Sequence, residues 1–493
     1  MRKAFALLLV LVLLCSAGII SAHAVINRER DQVTITASTV YGDKMAADGL
    51  NVIRNAHWNH RLHWSTEYDI SAEDSYKTDF EFTVNQERGE YSGSYSSDGI
   101  SFSSYVHGGM SSSHGITAES LADGMFRGYE ELCLDVMSRA PAGEEYSEII
   151  ELKDYYEYYP LDIFIDLSEL YSIHTTRDGT EYIGSVQGDD INEVEESIRE
   201  FIKIPVREGD MLEVKVYKTD AGDVIELDVA PYYGESGDYD SGGYDSYTDY
   251  YLYTATTDKA TYFTFNSGKA IDFSYIPGGY GLYCLPFGKT IEFEGEEYPT
   301  VDHEGLANVY PLSEDTIIQE YFTNKAEDKL LLVTYEDGQI VLTVIDAATM
   351  ETLQRINVAE ADGDIGVYSV TDYDDILILQ LAAKQIAVLD ILENGEYSLN
   401  YVTDRYPEGM DELYWFTTET SWAYDGRRLA AGWDLQQADP PYDNCGYSIA
   451  VYDESGMLYF GSYESGLMSG RERQNYANLC QPTIYDSLLL EWR

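Results

Sequence analysis

The amino-acid sequence predicts a mostly β protein, with repeated small sheets in its C-terminal half and a β-rich region with one or two helices before them. Three observations carry this prediction. Short apolar runs separated by turn residues recur after residue 330, and an aspartate follows the apolar end of one strand in each recurrence. One stretch before residue 234 keeps the period of an amphipathic helix.

The C-terminal repeats share one order of strands and turns. The strand ends Ile345-Asp346, Leu389-Asp390 and Tyr452-Asp453 mark the same position in three repeats, with spacings of 44 and 63 residues. A period near 40–45 residues with several short strands per unit is typical of propeller blades, because a small sheet with two apolar faces must be flanked by similar sheets. The predicted strands are Leu330 to Thr334, Ile340 to Ile345, Thr352 to Val358, Ile376 to Leu379, Ile386 to Leu389, Tyr397 to Val402, Arg428 to Trp433, Tyr447 to Tyr452 and Met457 to Tyr463.

Two segments resemble motifs of bacterial β-propellers of the TolB and WD40-like types. Residues 424–430, YDGRRLA, resemble the x-D-G-x-x-L-A turn and strand, and residues 345–349, IDAAT, resemble the V-D-x-x-T strand end. The resemblance covers roughly residues 330–463 and implies a β-propeller fold, with the blade count open. It implies no functional residue, because propellers carry many unrelated activities.

The first half of the chain gives mixed signals. Asp98-Gly99 predicts the turn of a hairpin within residues 91–106, alternation predicts strands near residues 162–167, 214–216 and 224–229, and residues 190–202 suit a helix with a capping box. Residues 119–137 have the apolar positions of a helix but contain two glycines.

Composition divides the chain at residues 234–250, GESGDYDSGGYDSYTDY, which lack the apolar residues a core needs. We predict an N-terminal β-rich domain at 25–233, a linker or exposed loop at 234–250 and a β-propeller-like domain at 251–493. The N-terminal half is either a separate domain or part of the same propeller.

Residues 1–24 have the three parts of an export signal. Arg2 and Lys3 precede an apolar run from Ala4 to Ile20, and Ala22-His23-Ala24 is a signal-peptidase site. The alternative is an uncleaved anchor through residues 4–20, at the short end of what spans a bilayer. Either case places the rest of the chain outside the cytoplasm, as an extracellular or cell-surface protein.

The chain is strongly acidic, with 31 Lys and Arg against 88 Asp and Glu and a net charge of −57. Cleavage after residue 24 would remove two of the basic residues and leave a net charge of −59. Such a surface repels phosphate backbones and anionic lipid, which excludes nucleic acid and peripheral membrane binding. It favours solubility, cationic partners and divalent ions.

Four cysteines remain beyond the signal, an even number that permits two disulfides. Sequence proximity favours Cys445 with Cys480, which leaves Cys133 with Cys284. The alternative is that these thiols are plain buried residues.

We find no catalytic motif and nominate no catalytic or cofactor-binding residue. His57, His60 and His63 have an unfavourable spacing for zinc, so an ordinary aromatic strand is the preferred interpretation. Calcium is a candidate ligand of the acidic loops at residues 362–364 and 372–375. The tyrosine-rich run at residues 154–160, DYYEYYP, raises the alternative of glycan binding, although tyrosine also suits ordinary β surfaces.

These observations favour an exported, non-enzymatic binding or surface-recognition module with an unknown protein or glycan partner. The alternative is a secreted carbohydrate-active hydrolase, with carboxylates in the propeller channel. A deep pocket with two or three convergent carboxylates favours the hydrolase.

Overall fold

The computed structural model of the protein contains two compact units: residues 1–95 with 363–493 (unit 1), and residues 96–362 (unit 2). Each is described by itself. The structure describes residues 9–21, 24, 35–58, 62–71, 77–82, 99–103, 108–122, 126, 128–166, 172–177, 180–185, 189–232, 249–250, 252–265, 272–293, 296–361, 366–373, 375–381, 385–403, 420–434, 446–465 and 484–493.

Unit 1 is made of strands, with a 3₁₀ turn at Lys44–Ala47 and a helical segment at residues 9–21. No helix in the described ranges has the length and apolar character needed to cross a membrane. Its strands are β1 (Ile35–Gly42), β2 (Leu50–Trp58), β3 (Leu62–Asp69), β4 (Lys77–Phe82), β23 (Val367–Tyr373), β24 (Ile376–Leu381), β25 (Gln385–Ile391), β26 (Tyr397–Val402), β27 (Ser421–Tyr424), β28 (Leu429–Asp434), β29 (Gly446–Asp453), β30 (Gly456–Ser465) and β31 (Ile484–Trp492).

These strands form three antiparallel sheets, ordered β23-β24-β25-β26, β1-β30-β29-β28-β27 and β31-β2-β3-β4. Strands far apart in sequence complete two of them. β1 pairs with β30, with Ile35 opposite Ser465. β31 pairs with β2, from Leu50 opposite Trp492 to His57 opposite Ile484.

The sheet that contains β27–β30 is buried on both faces. Along β29, Ala450 and Tyr452 lie in one apolar cluster with residues of β24, β25 and β26. Tyr447, Ile449 and Val451 point to the opposite face and lie in a second cluster with residues of β2, β3 and β31. Small sheets stacked on both faces are the packing of propeller blades, and the predicted β-propeller-like repeats are confirmed.

Unit 2 contains strands and helices. Its elements are β5 (Gly99–Ser103), β6 (Gly108–Ser111), α1 (Ala118–Ala122), α2 (Glu130–Arg139), β7 (Glu145–Glu151), β8 (Asp162–Asp166), β9 (Ser172–Arg177), β10 (Thr180–Ser185), α3 (Asp189–Phe201), β11 (Met211–Lys218), β12 (Val224–Pro231), β13 (Asp249–Tyr250), β14 (Leu252–Thr256), β15 (Ala260–Phe265), β16 (Gly281–Phe293), β17 (Glu296–Val301), β18 (Ala307–Pro311), β19 (Ile317–Thr323), β20 (Lys329–Glu336), β21 (Gln339–Asp346) and β22 (Thr352–Glu360).

Two sheets of unit 2 are meanders like those of unit 1: β19-β20-β21-β22, and β14-β15-β16-β17 with β18 also paired to β16. A third sheet differs, because its order β6-β12-β11-β7 is not sequential. One face of this sheet shares an apolar cluster with α2 and α3, in which Val214 and Val216 lie with Cys133, Val136 and Ile198. The smaller sheets are β13-β5-β8 and β9-β10.

The predicted strands of the C-terminal repeats correspond to observed strands, β20–β22, β24–β26 and β28–β30, although β28 begins one residue later than predicted, at Leu429. Each repeat also has a strand that was not predicted: β19, β23 or β27. The motif at residues 424–430 forms the turn from β27 to β28, with Gly426 at φ 89°. In the motif at residues 345–349, Asp346 Oδ1 accepts hydrogen bonds from the N–H groups of Ala348 and Thr349.

Most elements predicted for the first half are confirmed. The predicted capping box is not, because α3 begins at Asp189 and Asp190 lies inside the helix, and Gly99, predicted in a turn, begins β5. β8, the β11–β12 pair and α3 lie at the predicted positions. Residues 119–137 form two helices, α1 and α2, and Gly128 between them has a φ of 84°, outside the helical region. Residues 91–98 of the predicted hairpin lie outside the described residues, and β5 pairs with β8 and β13.

The boundaries of the two compact units differ from the domain boundaries predicted from composition. Residues on both sides of 234–250 belong to unit 2, and β13, at the end of the predicted linker, pairs with β5. Residues 234–248 lie outside the described residues, so a linker there stays a prediction. Composition reports local solubility, whereas the units are set by pairing between distant strands.

Candidate functional site

The sheet β6-β12-β11-β7 presents one face that the helices do not cover. The sequence of β11, MLEVKVYK, alternates, so Leu212, Val214 and Val216 are buried while the intervening side chains point the other way. Glu213, Lys215 and Tyr217 therefore lie on the open face, and 37% of Tyr217 is exposed.

Strand pairing brings carboxylates to both sides of Tyr217. Glu145 of β7 lies opposite it on one side, and Glu226 of β12 lies opposite it on the other. Asp228 of β12 lies opposite Lys215, one pair along the same face. The open face forms a shallow cavity of about 470 Å³, lined by Gly109, Met110, Ser111, Glu145, Lys215, Val216, Tyr217, Glu226, Leu227 and Asp228.

Gly109 keeps one of these carboxylates uncovered. It pairs with Asp228 on the edge strand β6, and a Cβ at this position would stand 3.4 Å from Asp228 Oδ1. Any larger side chain here would extend over the carboxylate. The glycine therefore leaves room for a ligand beside Asp228.

The positive charge on this face is already engaged. Lys215 Nζ lies 3.1 Å from Glu213 Oε2, and Ser147 Oγ donates a 2.9 Å hydrogen bond to Glu213 Oε1. The Ser147 hydrogen bond, and next the one from Lys215, lower the pKa of Glu213. The hydrogen bond to Glu213 raises the pKa of Lys215. Asp228 and Glu145 also interact with the Lys215 ammonium, but one lysine cannot neutralise four carboxylates. Negative charge therefore remains in excess around Tyr217, from Glu213, Glu145, Glu226 and Asp228.

The carboxylates of this arrangement line a shallow, open cavity rather than a deep pocket. Glu145 and Glu226 stand on strands separated by β11, two strand spacings or roughly 9.5 Å apart. This backbone spacing exceeds the carboxyl separation of about 5–5.5 Å in retaining glycosidases and lies at the upper limit of about 6.5–9.5 Å in inverting ones, so the open geometry, and not the spacing, favours binding over hydrolysis. An aromatic ring between carboxylates is suited to a cationic group, which the ring face and the charges attract together.

The predicted pairing of Cys133 with Cys284 is not formed, and both are free thiols. Cys133 lies on α2, beside Tyr156, whereas Cys284 lies on β16, beside Tyr262. Each thiol packs as a small apolar side chain, which an even cysteine count cannot reveal. Cys445 and Cys480 lie outside the described residues, so their pairing stays a prediction.

We expect the native Cys133 and Cys284 thiols to resist alkylation at pH 8, and both to react once the protein is denatured. Burial raises the pKa of Cys133 to about 12 and that of Cys284 to about 11. Because the thiolate is the nucleophile, both folded thiols are unreactive. Mass spectrometry of the labelled peptides locates the modified residues. Rapid native labelling of Cys133 would contradict the structure.

The raised pKa values of the two thiols also make the free energy of unfolding fall at high pH. Each thiol has a higher pKa in the folded protein than the ordinary value of about 8.5 in the unfolded chain. Its contribution to the free energy of unfolding is therefore complete below pH 8.5 and is lost as the pH rises towards 11–12. We expect the Cys133→Ala variant to show a smaller fall in unfolding free energy between pH 8 and pH 10.5, measured by urea titration. An unchanged fall would contradict this assignment.

The other predicted metal ligands are only partly described. The backbones of His57 and His63 lie opposite each other in the β2–β3 hairpin, and His60 lies outside the described residues. Residues 362–364 also lie outside them, as does Asp374 of the second acidic loop. Within the described ranges, no group of three His, Cys, Asp or Glu side chains is placed to hold a metal ion. Calcium binding by these loops stays a prediction.

The tyrosines of residues 154–160 mainly serve the structure of unit 2. Tyr159 is 4% exposed and donates a hydrogen bond to Asp210. Tyr156 packs edge-on against Tyr129, with ring centroids 5.7 Å apart, and Tyr155 donates to Asp135. This run therefore supplies little open aromatic surface for a glycan.

A serine, a histidine and a carboxylate meet between α3 and the 3₁₀ turn His303–Gly305. Ser197 Oγ lies 2.8 Å from His303 Nδ1, and Glu193 Oε2 lies 3.5 Å from His303 Nε2. A nucleophilic serine needs free backbone N–H groups nearby to stabilise the oxyanion. Ser197 lies inside α3, where the backbone N–H groups already donate to carbonyl oxygens of the preceding turn, so they do not serve this role. We interpret this grouping as a tertiary link that holds the turn on α3.

No protein-family model matches the chain, and no curated protein matches it. A putative 6-phosphogluconolactonase from Bacteroides fragilis is 10% identical over 85% of this chain and 95% of its own, with a TM-score of 0.27. The Cps50 (Swd1) β-propeller domain from Myceliophteria thermophila is 12% identical over 53% and 82%, with a TM-score of 0.21. A chain of a mitotic checkpoint complex is 11% identical over 42% of this chain and 50% of its own, with a TM-score of 0.23. Similarities this low carry no functional argument, so the fold assignment rests on the sheets themselves.

Proposed function

We propose that the protein is an exported, non-enzymatic binding module that recognises a partner through the open face of sheet β6-β12-β11-β7. The position of Tyr217 between Glu145 and Glu226 carries the proposal. Export is supported by the N-terminal signal pattern and by the acidic composition. Extracellular or cell-surface placement is part of this proposal.

The partner carries lysine or arginine side chains at its contact surface. The excess of carboxylates around the Tyr217 ring attracts a cation. An ammonium or guanidinium group can in addition donate hydrogen bonds to these carboxylates. A neutral sugar would stack on Tyr217 but would leave these charges uncompensated. The net charge of −57 on the chain also steers cationic partners towards it.

The test is binding of lysine- and arginine-containing peptides to the purified protein at 150 mM salt. We expect Tyr217→Ala to weaken the best-binding peptide by roughly tenfold, the loss of one cation–π contact of about 1–2 kcal/mol. The double variant Glu145→Gln with Glu226→Gln should weaken it further. Surface plasmon resonance gives the dissociation constants.

A matched control separates this site from the general acidity of the chain. Glu351→Gln with Glu393→Gln removes the same two charges from exposed positions elsewhere. We expect this control to bind the peptide as the unmodified protein does. Equal weakening in both double variants would mean that net charge alone attracts the peptide, and would overturn the proposed site.

A further inference from the structure

Strand β7 is an edge of the sheet that carries the open face. In the described part of the chain it pairs only with β11, and its sequence, EYSEIIE, runs from Glu145 to Glu151. An edge strand leaves one row of backbone N–H and C=O groups without partners in the sheet. Such a row is a template on which a further strand can pair.

Two hydrogen bonds show which backbone groups of β7 form this row. The N–H of Leu152 donates to the carbonyl oxygen of Asp210 at 2.8 Å, and the N–H of Lys218 donates to that of Glu144 at 3.5 Å. Antiparallel strands alternate between hydrogen-bonded and non-hydrogen-bonded pairs, so the even-numbered residues of β7 bond to β11. The backbone groups of the odd-numbered residues therefore point away from the sheet: Glu145, Ser147, Ile149 and Glu151.

The residues with outward backbone groups also place their side chains on the open face. The register sets Glu145 opposite Tyr217 and Ile149 opposite Glu213, and both partners belong to that face. All four odd-numbered residues of β7 are exposed, and the apolar side chain of Ile149 is 46% exposed. A strand added to β7 would cover Ile149 and complete the unpaired backbone groups at the same time.

Charge decides which strand can be added. The outward row of β7 has a glutamate at each end, Glu145 and Glu151, and the open face beside it has negative charge in excess. A second copy of β7, paired antiparallel about its centre, would put Glu145 opposite Glu151, and like charges directly opposite each other are destabilising. A partner strand with lysine or arginine at these two positions, and an apolar residue opposite Ile149, matches the row instead.

We propose that the partner binds through an extended segment that adds an antiparallel strand to the free edge of β7. Alternate residues of the segment exchange backbone hydrogen bonds with Ser147 and Ile149, and the side chains of these same residues lie on the open face. Backbone pairing supplies affinity and the alternate side chains supply specificity. This inference rests on the proposed function, because it specifies how the partner of the open face is held.

The test uses the heptapeptide acetyl-KQVQTQK-amide. Its lysines match Glu151 and Glu145, and its valine and threonine match Ile149 and Ser147. Two methylated forms have the same charge and the same number of methyl groups. The first is methylated on the amide nitrogens of the valine and the threonine, which removes two N–H donors that face β7. The second is methylated on the amide nitrogens of the second and third glutamines, which face away from β7.

Surface plasmon resonance with the full chain measures the three affinities. We expect the first methylated form to bind roughly tenfold more weakly than the unmodified peptide, the loss of two hydrogen bonds. The second methylated form should bind as the unmodified peptide does. Equal affinities of the two methylated forms would overturn the inference.

The outcomes separate this inference from the proposed function. If the methylated forms bind equally and Tyr217→Ala weakens both, the open face binds the cationic side chains but β7 adds no strand, and only this inference fails. If neither the heptapeptide nor any other lysine- or arginine-containing peptide binds, the proposed function fails together with the inference.

Two variants of Ser147 test the same pairing from the side of the protein. Ser147→Pro and Ser147→Ala both lose the side-chain hydroxyl, but only proline removes the outward N–H. Proline is tolerated on edge strands where the N–H points away from the sheet, so the two variants should have similar melting temperatures. We expect Ser147→Pro to bind the unmodified heptapeptide roughly fivefold more weakly than Ser147→Ala, the loss of one hydrogen bond. Equal binding by the two folded variants would contradict the pairing, and the methylated peptides decide the question if the proline variant does not fold.

Discussion

A chain that ends at residue 483 will fail to form native unit 1, because it lacks β31. This strand pairs with β2 from Leu50 to His57, and its Leu488 and Leu490 lie in an apolar cluster with β2, β3 and β28–β30. Gly432 of β28 allows this packing, since a Cβ there would stand 2.9 Å from Leu488 Cδ2. Without β31, β2 loses its ladder partner and the cluster opens to water.

The same strand is held from a second direction. The Arg428 guanidinium carbon lies 4.0 Å from the ring centroid of Trp492, and Arg428 donates a 2.8 Å hydrogen bond to the carbonyl oxygen of Ala46. Trp492 Nε1 donates to the carbonyl oxygen of Ala423, at 3.2 Å. These contacts tie β31 to β27 and to Arg428 in the turn before β28, and Arg428 in turn binds the 3₁₀ turn before β2.

Scanning calorimetry and limited proteolysis measure this effect. We expect the shortened chain to lose one thermal transition and to become sensitive to protease in unit 1, and the peptide 484–493 to restore resistance. Leu490→Ala and Leu489→Ala form a matched pair, since the two side chains are 4% and 44% exposed. The first should cost about 2–5 kcal/mol and the second within about 0.5 kcal/mol. Equal costs would contradict the placement of β31.

Replacing Tyr463 by alanine will cost unit 1 about 3–5 kcal/mol, the usual loss for a buried aromatic side chain. Tyr463 is 1% exposed, and its ring stacks on Tyr447 with centroids 5.2 Å apart and planes 7° apart. Its hydroxyl lies 2.6 Å from that of Tyr459. Tyr68 adds a hydrogen bond to Tyr447, so four phenols form a buried group between two sheets.

The ring and the hydroxyl of Tyr463 are separable. Tyr463→Phe keeps the stacking and removes the hydrogen bond to Tyr459, which should cost only about 0.5–1.5 kcal/mol, because Tyr459 keeps its hydrogen bond with Thr39. Tyr368→Ala is the exposed control, since Tyr368 is 73% exposed. Urea unfolding of the three variants measures the differences. If Tyr463→Ala costs no more than Tyr368→Ala, the buried packing is refuted.

Sequence patterns predicted the parts of the fold that local chemistry decides. Apolar runs such as Leu330 to Thr334 are short and bounded by turn residues, which favours buried strands, and the turn residues between them set the hairpins. The strands that were missed include short ones, such as Ser421–Tyr424 of β27, and long ones without a clear alternation, such as Gly281–Phe293 of β16. The pairing of β31 with β2 joins residues more than 400 positions apart, and no local signal carries it.

The candidate sites were less accessible to sequence reasoning. The alternation of β11 predicts that Glu213, Lys215 and Tyr217 share a face, but the register that places Glu145 and Glu226 beside Tyr217 belongs to the fold. The aspartates at strand ends were recognised only as a mark of the repeat. With 88 Asp and Glu in the chain, composition cannot single out the few acids that belong to one site.

The pairing of β31 with β2 also sets the order in which the chain can mature during synthesis. Residues 96–362 form a complete unit before the ribosome reaches residue 363, and can fold while elongation continues. Residues 35–82 must wait, since their partners include the last ten residues of the sequence. Their apolar strands stay exposed over most of translation, so this part of the chain depends on chaperones or folds only after synthesis has ended.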